Sequence, residues 1–172
     1  MNELIKDLGL LINATLIATP PLLLAALGSC FSERSGVVNI GIEGMMTIGA
    51  FTGAVMGLTT GNGWIAFLCA GLAGALFGLI HAFACISCHA DQTIAGTAIN
   101  FLGPGLALFL CKAMYSNSSD TPAMDPSCKL PKLFEGVFPT GSFWNNVLNV
   151  YAVAYLVFVL AFVCWFVFYK TR

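Results

Sequence analysis

Polar positions along this chain are sparse and clustered, and long apolar stretches run between them. Four stretches carry no Asp, Glu, Lys or Arg: 8–32, 44–90, 92–111 and 136–169. A helix that crosses a bilayer needs roughly 20 predominantly apolar residues. The second stretch is long enough for two passes, with T-T-G-N-G at 59–63 as the turn. The pattern predicts five spans, near 8–31, 37–58, 64–87, 93–114 and 147–169. That is an all-α integral membrane protein.

Composition agrees. The chain is 58% hydrophobic and 9% charged, with mean hydropathy +0.87, whereas soluble domains carry about 25% charged residues. Lys and Arg total seven and are scattered, so no basic surface for nucleic acid is present. The first apolar run reads as a span, with a secretory leader as the rival reading. Its preceding residues set one Lys against Glu3 and Asp7, and the run exceeds a typical leader core. L-G-S-C at 27–30 resembles a lipoprotein cleavage box, but the chain continues apolar beyond it.

Between the first two spans lies S-E-R-S-G-V-V-N-I-G-I-E-G-M-M, 32–46, with Gly36, Gly41, Gly44, Asn39 and Glu43. Glycine lets a backbone leave helical geometry and lets another come close. Non-helical backbone beside lipid must be enclosed by protein or a water-filled cavity. Transporters use such broken helices to present polar groups to a substrate near the midplane. The other reading is a turn followed by a tightly packed helix start, with Glu43 merely hydrogen-bonded. Both stay open on residue physics.

The spans themselves read mostly as packing. Pro20-Pro21 predicts a kink in the first. Gly49, Gly53 and Gly57 recur every four residues, as do Ala66, Ala70, Gly74, Gly78 and Ala82. Small residues at that spacing allow close helix contact. Met45 and Met46 fill gaps, Trp64 anchors an interface, and His81 reads as a helix-contact residue. Cys85-Ile86-Ser87-Cys88-His89 matches the c-type haem pattern. It offers a contrasting function, a small membrane cytochrome. Against it, Cys85 falls in an apolar span end and no second axial ligand is placed. The seven cysteines are an odd number and mostly fall in or beside spans, which argues against a complete disulfide framework. A purely structural membrane subunit is a third reading.

Asp91 opens the fourth span, where the helix dipole favours an acid. Thr97 and Asn100 lie deeper, followed by Gly103-Pro104-Gly105, which predicts a second interruption. Intramembrane polar groups face a bundle interior or cavity. Asn39 and Asn100 are therefore paired substrate-site candidates, with Glu43 and Thr97 beside them. The segment 115–146 is the long polar stretch, with Phe138, Phe143 and Trp144 near its end. The last span is bulky and lipid-facing in character, with Trp165 and Tyr169 at its interface. No catalytic constellation, phosphate loop or zinc spacing is present, and the reading calls for no cofactor.

A-T-P-P-L-L-L-A-A-L-G-S-C-F-S-E-R-S-G-V-V-N-I-G-I-E-G-M-M (18–46) and A-D-Q-T-I-A-G-T-A-I-N (90–100) closely resemble bacterial ABC-importer permeases of the branched-chain amino acid/ribose superfamily. The resemblance is strongest to the branch associated with nucleoside uptake and basic-membrane-protein-type binding proteins. It implies the first half of a type II permease: one transmembrane domain over 1–172, with the coupling segment and later spans missing beyond Y-K-T-R. It implies a second permease subunit, cytoplasmic ATP-binding subunits and an extracytoplasmic substrate-binding protein in a bacterial inner membrane. Nucleosides are the implied substrate, with sugars, riboflavin-like compounds and branched-chain amino acids as alternatives. Asn100 occupies the Asn of the D-Q-x-x-x-G-x-A-x-N pattern. Orientation also rests on the resemblance. Arg34, Lys170 and Arg172 on one side balance Lys6, Lys112, Lys129 and Lys132 on the other, so charge asymmetry decides nothing.

Overall fold

The computed structural model describes residues 3–125, 129–133 and 143–170, with the side chains of 3–6, 143 and 146 left aside. Cys128, Phe138, Arg172 and the side chains of Lys6 and Phe143 lie outside the described residues. The elements are α1 (Glu3–Arg34), α2 (Ile42–Thr60), α3 (Gly63–Ala82), a π-helical turn (Phe83–Ser87), α4 (Gln92–Met114), α5 (Phe143–Leu148) and α6 (Ala152–Lys170). Among the described residues, five helices are long and apolar enough to cross a membrane. Among the described residues there is no strand beyond an isolated bridge between Lys132 and Tyr151.

Two boundaries and one expected interruption differ from the sequence pattern, each for a local reason. The second span begins at Ile42 rather than 37, because 36–41 is unwound. The last span begins at Ala152, after the short α5 and an irregular step at 149–151. The interruption expected at Gly103-Pro104-Gly105 is not there: α4 is helical throughout Gln92–Met114. Proline removes one backbone donor, but in a membrane helix neighbouring groups absorb the loss. α1 likewise stays helical through Pro20 and Pro21.

The chain forms two compact units, 1–28 with 130–172, and 29–129. In the first, Ala154, Val157 and Cys164 of α6 are buried. The Tyr155 hydroxyl donates to the Leu148 carbonyl at 2.9 Å, and the Ala152 N–H donates to the Pro131 carbonyl at 3.1 Å.

The second unit is built from α2, α3 and α4. Its core is Ile48, Phe77, Ile99 and Ala107, with Met45, Phe51 and Leu106 packed on it. The small-residue faces of α2 and α3 meet. A Cβ on Gly49 would stand 3.1 Å from the Ala70 carbonyl oxygen, and one on Gly53 would stand 3.1 Å from the Ala70 Cβ. Without strong hydrophobic drive in lipid, such close backbone approach supplies the packing. Leu68, Leu72, Leu76, Leu79, Phe101 and Phe109 face outward, as lipid contact requires. Asn62 caps α3 by accepting from the Trp64 N–H at 2.9 Å. The Asp91 carboxylate caps α4, accepting from the N–H groups of Thr93 and Ile94, both at 2.9 Å.

Candidate functional site

α1 ends in a turn. The Gly36 N–H donates to the Glu33 carbonyl at 3.0 Å, and Gly36 adopts φ +86, a left-handed geometry that glycine takes without strain. Residues 37–40 then run without helical or sheet pairing, and Gly41 opens α2. Buried backbone groups need partners, so an apolar segment without regular structure raises the question of where its hydrogen bonds go.

Side chains answer it. The Ser32 hydroxyl donates to the Val37 carbonyl at 2.6 Å, and the Val37 N–H donates to the Ser32 carbonyl at 3.2 Å. The Val38 N–H donates to Gln92 Oε1 at 2.7 Å, while Gln92 Nε2 donates to the Gly36 carbonyl at 3.4 Å. The Val38 carbonyl faces His81 Nε2 at 3.3 Å. A carbonyl only accepts, so a hydrogen bond here requires the imidazole proton on Nε2. Asn100 Nδ2 donates to the Ile40 carbonyl at 2.9 Å, and Asn100 Oδ1 accepts from the Gly44 N–H at 2.8 Å. Asn39 Oδ1 accepts from the Gly41 N–H at 3.0 Å, an Asx-type turn that sets the entry into α2.

Close approach of backbones makes this possible. A Cβ on Gly44 would stand 2.7 Å from the Ile99 carbonyl carbon, and one on Gly96 would stand 3.0 Å from the Gly41 nitrogen. A Cβ on Gly103 would collide with the Gly44 carbonyl oxygen. Gly96, Asn100 and Gly103 follow one helical stripe of α4, so the amide reaches across a crossing that has no side chains in the way.

The structure thus gathers Asn39, Gly41, Gly44 and Asn100 around the start of α2. Asn39 is half-buried, and its Nδ2 approaches Met45 Sδ at 3.5 Å. Both polar atoms of the Asn100 amide are engaged by backbone. Glu43 is exposed on the first turn of α2. Thr97 is exposed on α4, its hydroxyl donating to the Thr93 carbonyl at 2.8 Å. Gly36 lies at the other end of the break, held by Gln92. Sequence reasoning gave no role to Gln92 and read His81 only as a helix contact. His81 is 2% exposed, the buried polar residue of the described core.

An open cleft of about 360 Å³ lies between α2 and α4, lined among others by Thr47, Phe51, Pro104, Leu108, Ser119 and Asp120. Thr47 stands one turn after Glu43, and Pro104 one turn after Asn100. Asn39, Glu43, Thr97 and Asn100 themselves do not line the cleft. Proline cannot donate a backbone hydrogen bond, so Pro104 leaves the Asn100 carbonyl without its usual helical partner.

The Cys-x-x-Cys-His motif is split between environments. Cys85 is buried, its Sγ 3.7 Å from His81 Nε2, while Cys88 is exposed and His89 adopts φ +53. Among the described residues no group of three His, Cys, Asp or Glu side chains could hold a metal ion.

A family model described as branched-chain amino acid transport system / permease component matches residues 11–172. The chain is 43% identical over 178 residues to the guanosine ABC transporter permease protein NupQ of Bacillus subtilis, covering 98% of this chain and 54% of that protein. It is 32% identical over 176 residues to the nucleoside ABC transporter permease protein NupC of Lactococcus lactis, covering 99% of this chain and 55% of that one. A putative glucose ABC transporter permease protein of Haloferax volcanii is 46% identical over 99 residues, covering 58% of this chain and 30% of its own length. The chain spans about half the length of the first two relatives. No solved structure matches it.

Proposed function

This chain belongs to the branched-chain amino acid transport system / permease component family, and from that premise we propose that it forms part of the substrate pathway of an ABC importer for nucleosides. The observation that carries the reading is likeness along almost the whole chain to two permeases named for guanosine and nucleosides. It is a multi-pass membrane protein, in this reading of the bacterial inner membrane. ATP hydrolysis falls to separate cytoplasmic subunits, because the family's relatives here are permeases rather than enzymes. A second permease subunit completes the pathway, and an extracytoplasmic binding protein delivers the substrate and sets most of the selectivity.

Within the pathway, we assign Asn39, Glu43, Thr97 and Asn100 to the substrate side of the helix break, with Glu43 and Asn100 one turn before the cleft residues Thr47 and Pro104. Glu43 and Thr97 supply exposed oxygens, suited to sugar hydroxyls and base N–H groups. The two amides shape the backbone between them. The unwound 36–41 stretch and the glycines at 36, 41 and 44 support this reading, since irregular backbone at membrane depth occurs where it lines a cavity or is enclosed by protein. Likeness over 58% of the chain to a putative glucose permease favours sugars as the second reading.

The test is uptake of labelled nucleosides by cells carrying the whole operon, with and without this gene, with unlabelled riboflavin, ribose and leucine as competitors. Gene-dependent uptake inhibited by nucleosides alone is the expected result. Competition by ribose would move the substrate to sugars. Uptake that ignores the gene while the partner subunits remain at normal levels would overturn the permease reading.

A further inference from the structure

We propose that Gln92, His81 and Asn100 are positioning residues that hold the helix break between α1 and α2 in one fixed shape by replacing the hydrogen bonds its backbone lacks. The inference rests on the pathway reading above and adds to it the groups that give the pathway its geometry.

Between Gly36 and Gly41 the backbone leaves helical pairing within an otherwise apolar bundle, and the first N–H groups of α2 have no partner within their own helix. Backbone groups left unsatisfied in an apolar surround are costly. Three side chains from two other helices meet the groups in order along the segment. Gln92, the first residue of α4, takes the Gly36 carbonyl and the Val38 N–H. His81, in the last turn of α3, takes the Val38 carbonyl. Asn100, two turns along α4, takes the Ile40 carbonyl and the Gly44 N–H. Val38 is thereby held at both its N–H and its carbonyl by two side chains.

The three residues suit this work. Asn and Gln carry a donor and an acceptor on one planar group, so each bridges a carbonyl and an N–H. His81 needs only a donor and is itself buried. The contacts join residues 43 to 60 positions apart. The break is thus fixed to the α3–α4 pair as well as to the end of α1 through Ser32, and Asn39 and Glu43 are placed by groups that need not touch the substrate.

The experiment uses the assembled transporter in lipid nanodiscs. Hydrogen–deuterium exchange over 36–44 and initial uptake rates in cells are read for Gln92→Leu, which removes both of its bonds, and for Gln92→Glu, which keeps the acceptor for the Val38 N–H. His81→Phe and His81→Gln form a second pair, and the outward-facing Leu72→Ala is the control. Losing a hydrogen bond of this kind is expected to speed exchange in the segment about tenfold. The maximal uptake rate should fall in Gln92→Leu and His81→Phe, with the half-saturating substrate concentration and membrane abundance unchanged. The glutamate and glutamine variants should recover both readouts in part.

Unchanged exchange over 36–44 in both apolar variants would overturn the proposal whatever uptake does. Faster exchange with wild-type uptake would overturn the link to transport. If the unaltered transporter shows no gene-dependent uptake, the pathway reading fails, and the exchange measurement alone decides whether the three residues hold the break.

Discussion

Gly44→Ala tests the crossing on which the site depends. An added Cβ would stand 2.7 Å from the Ile99 carbonyl carbon and 3.0 Å from the Asn100 Cα, and would press hardest on the Ile99 carbonyl oxygen. All three are backbone atoms, so no rotamer change relieves the contact, and α2 must move off α4 by roughly 1 Å to restore van der Waals spacing. That shift stretches the Gly44 N–H to Asn100 Oδ1 bond, now 2.8 Å, beyond useful length. Overpacking of this kind costs roughly 1–3 kcal/mol, and the lost hydrogen bond about 1 kcal/mol. Taking about 3 kcal/mol, and about 2–4 °C per kcal/mol at this chain length, the purified protein should lose roughly 6–12 °C of thermal stability. Gly71→Ala is the matched control, because nothing lies within 4 Å of its added Cβ. There, replacing a helical glycine should stabilise by roughly 0.5–1 kcal/mol. The assay is the midpoint of heat-induced aggregation in detergent for both variants beside the parent. Equal midpoints for Gly44→Ala and Gly71→Ala would refute the close crossing.

Three further outcomes are expected. Asn39→Ala removes the turn that sets the entry into α2 and should lower transport in the full-length protein, while membrane insertion and copurification of the ATP-binding subunits stay intact; unchanged transport would remove Asn39 from the site. Asp91→Ala removes the cap on α4 and should cost about 1 kcal/mol of stability, with most of that regained in Asp91→Asn, as thermal midpoints would report. The Cys85→Ala, Cys88→Ala double variant should keep its uptake, and a visible spectrum of the reduced parent should show no haem band; a band lost on substitution would restore the cytochrome reading.

The spans were legible because charge-free length is the strongest signal a membrane helix leaves in sequence. The break was legible as a composition but not as a boundary. Val37, Val38 and Ile40 are as apolar as helix interior, so hydropathy extended α2 five residues too early. Gly103-Pro104-Gly105 misled in the opposite direction. Its residue types suggest interruption, yet Gly103 serves the crossing with Gly44 and the proline subtracts only one donor from a helix that is otherwise complete. Asn100 stood out as an intramembrane amide, and its partners could not be named without knowing which backbone it met. Gln92 and His81 were the omissions. One physical signal could have found them: unwound backbone beside lipid demands donors and acceptors from neighbouring spans, and those two lay among the few polar side chains near the relevant helix ends.

The helix break also carries a consequence for synthesis. Its backbone emerges well before the groups that complete it, since Gln92 follows Val38 by 54 residues and Asn100 follows Ile40 by 60. At about 5–20 residues per second, that gap lasts roughly 3–12 s. During that interval the Val38 N–H and the Ile40 carbonyl have no lasting partner in the chain, and water at the membrane surface must serve them. The first half of the 29–129 unit therefore cannot settle to its final depth until α4 arrives. The order of the chain makes α4 the closing piece, and the segment nearest the proposed pathway is among the last parts of that unit to take shape.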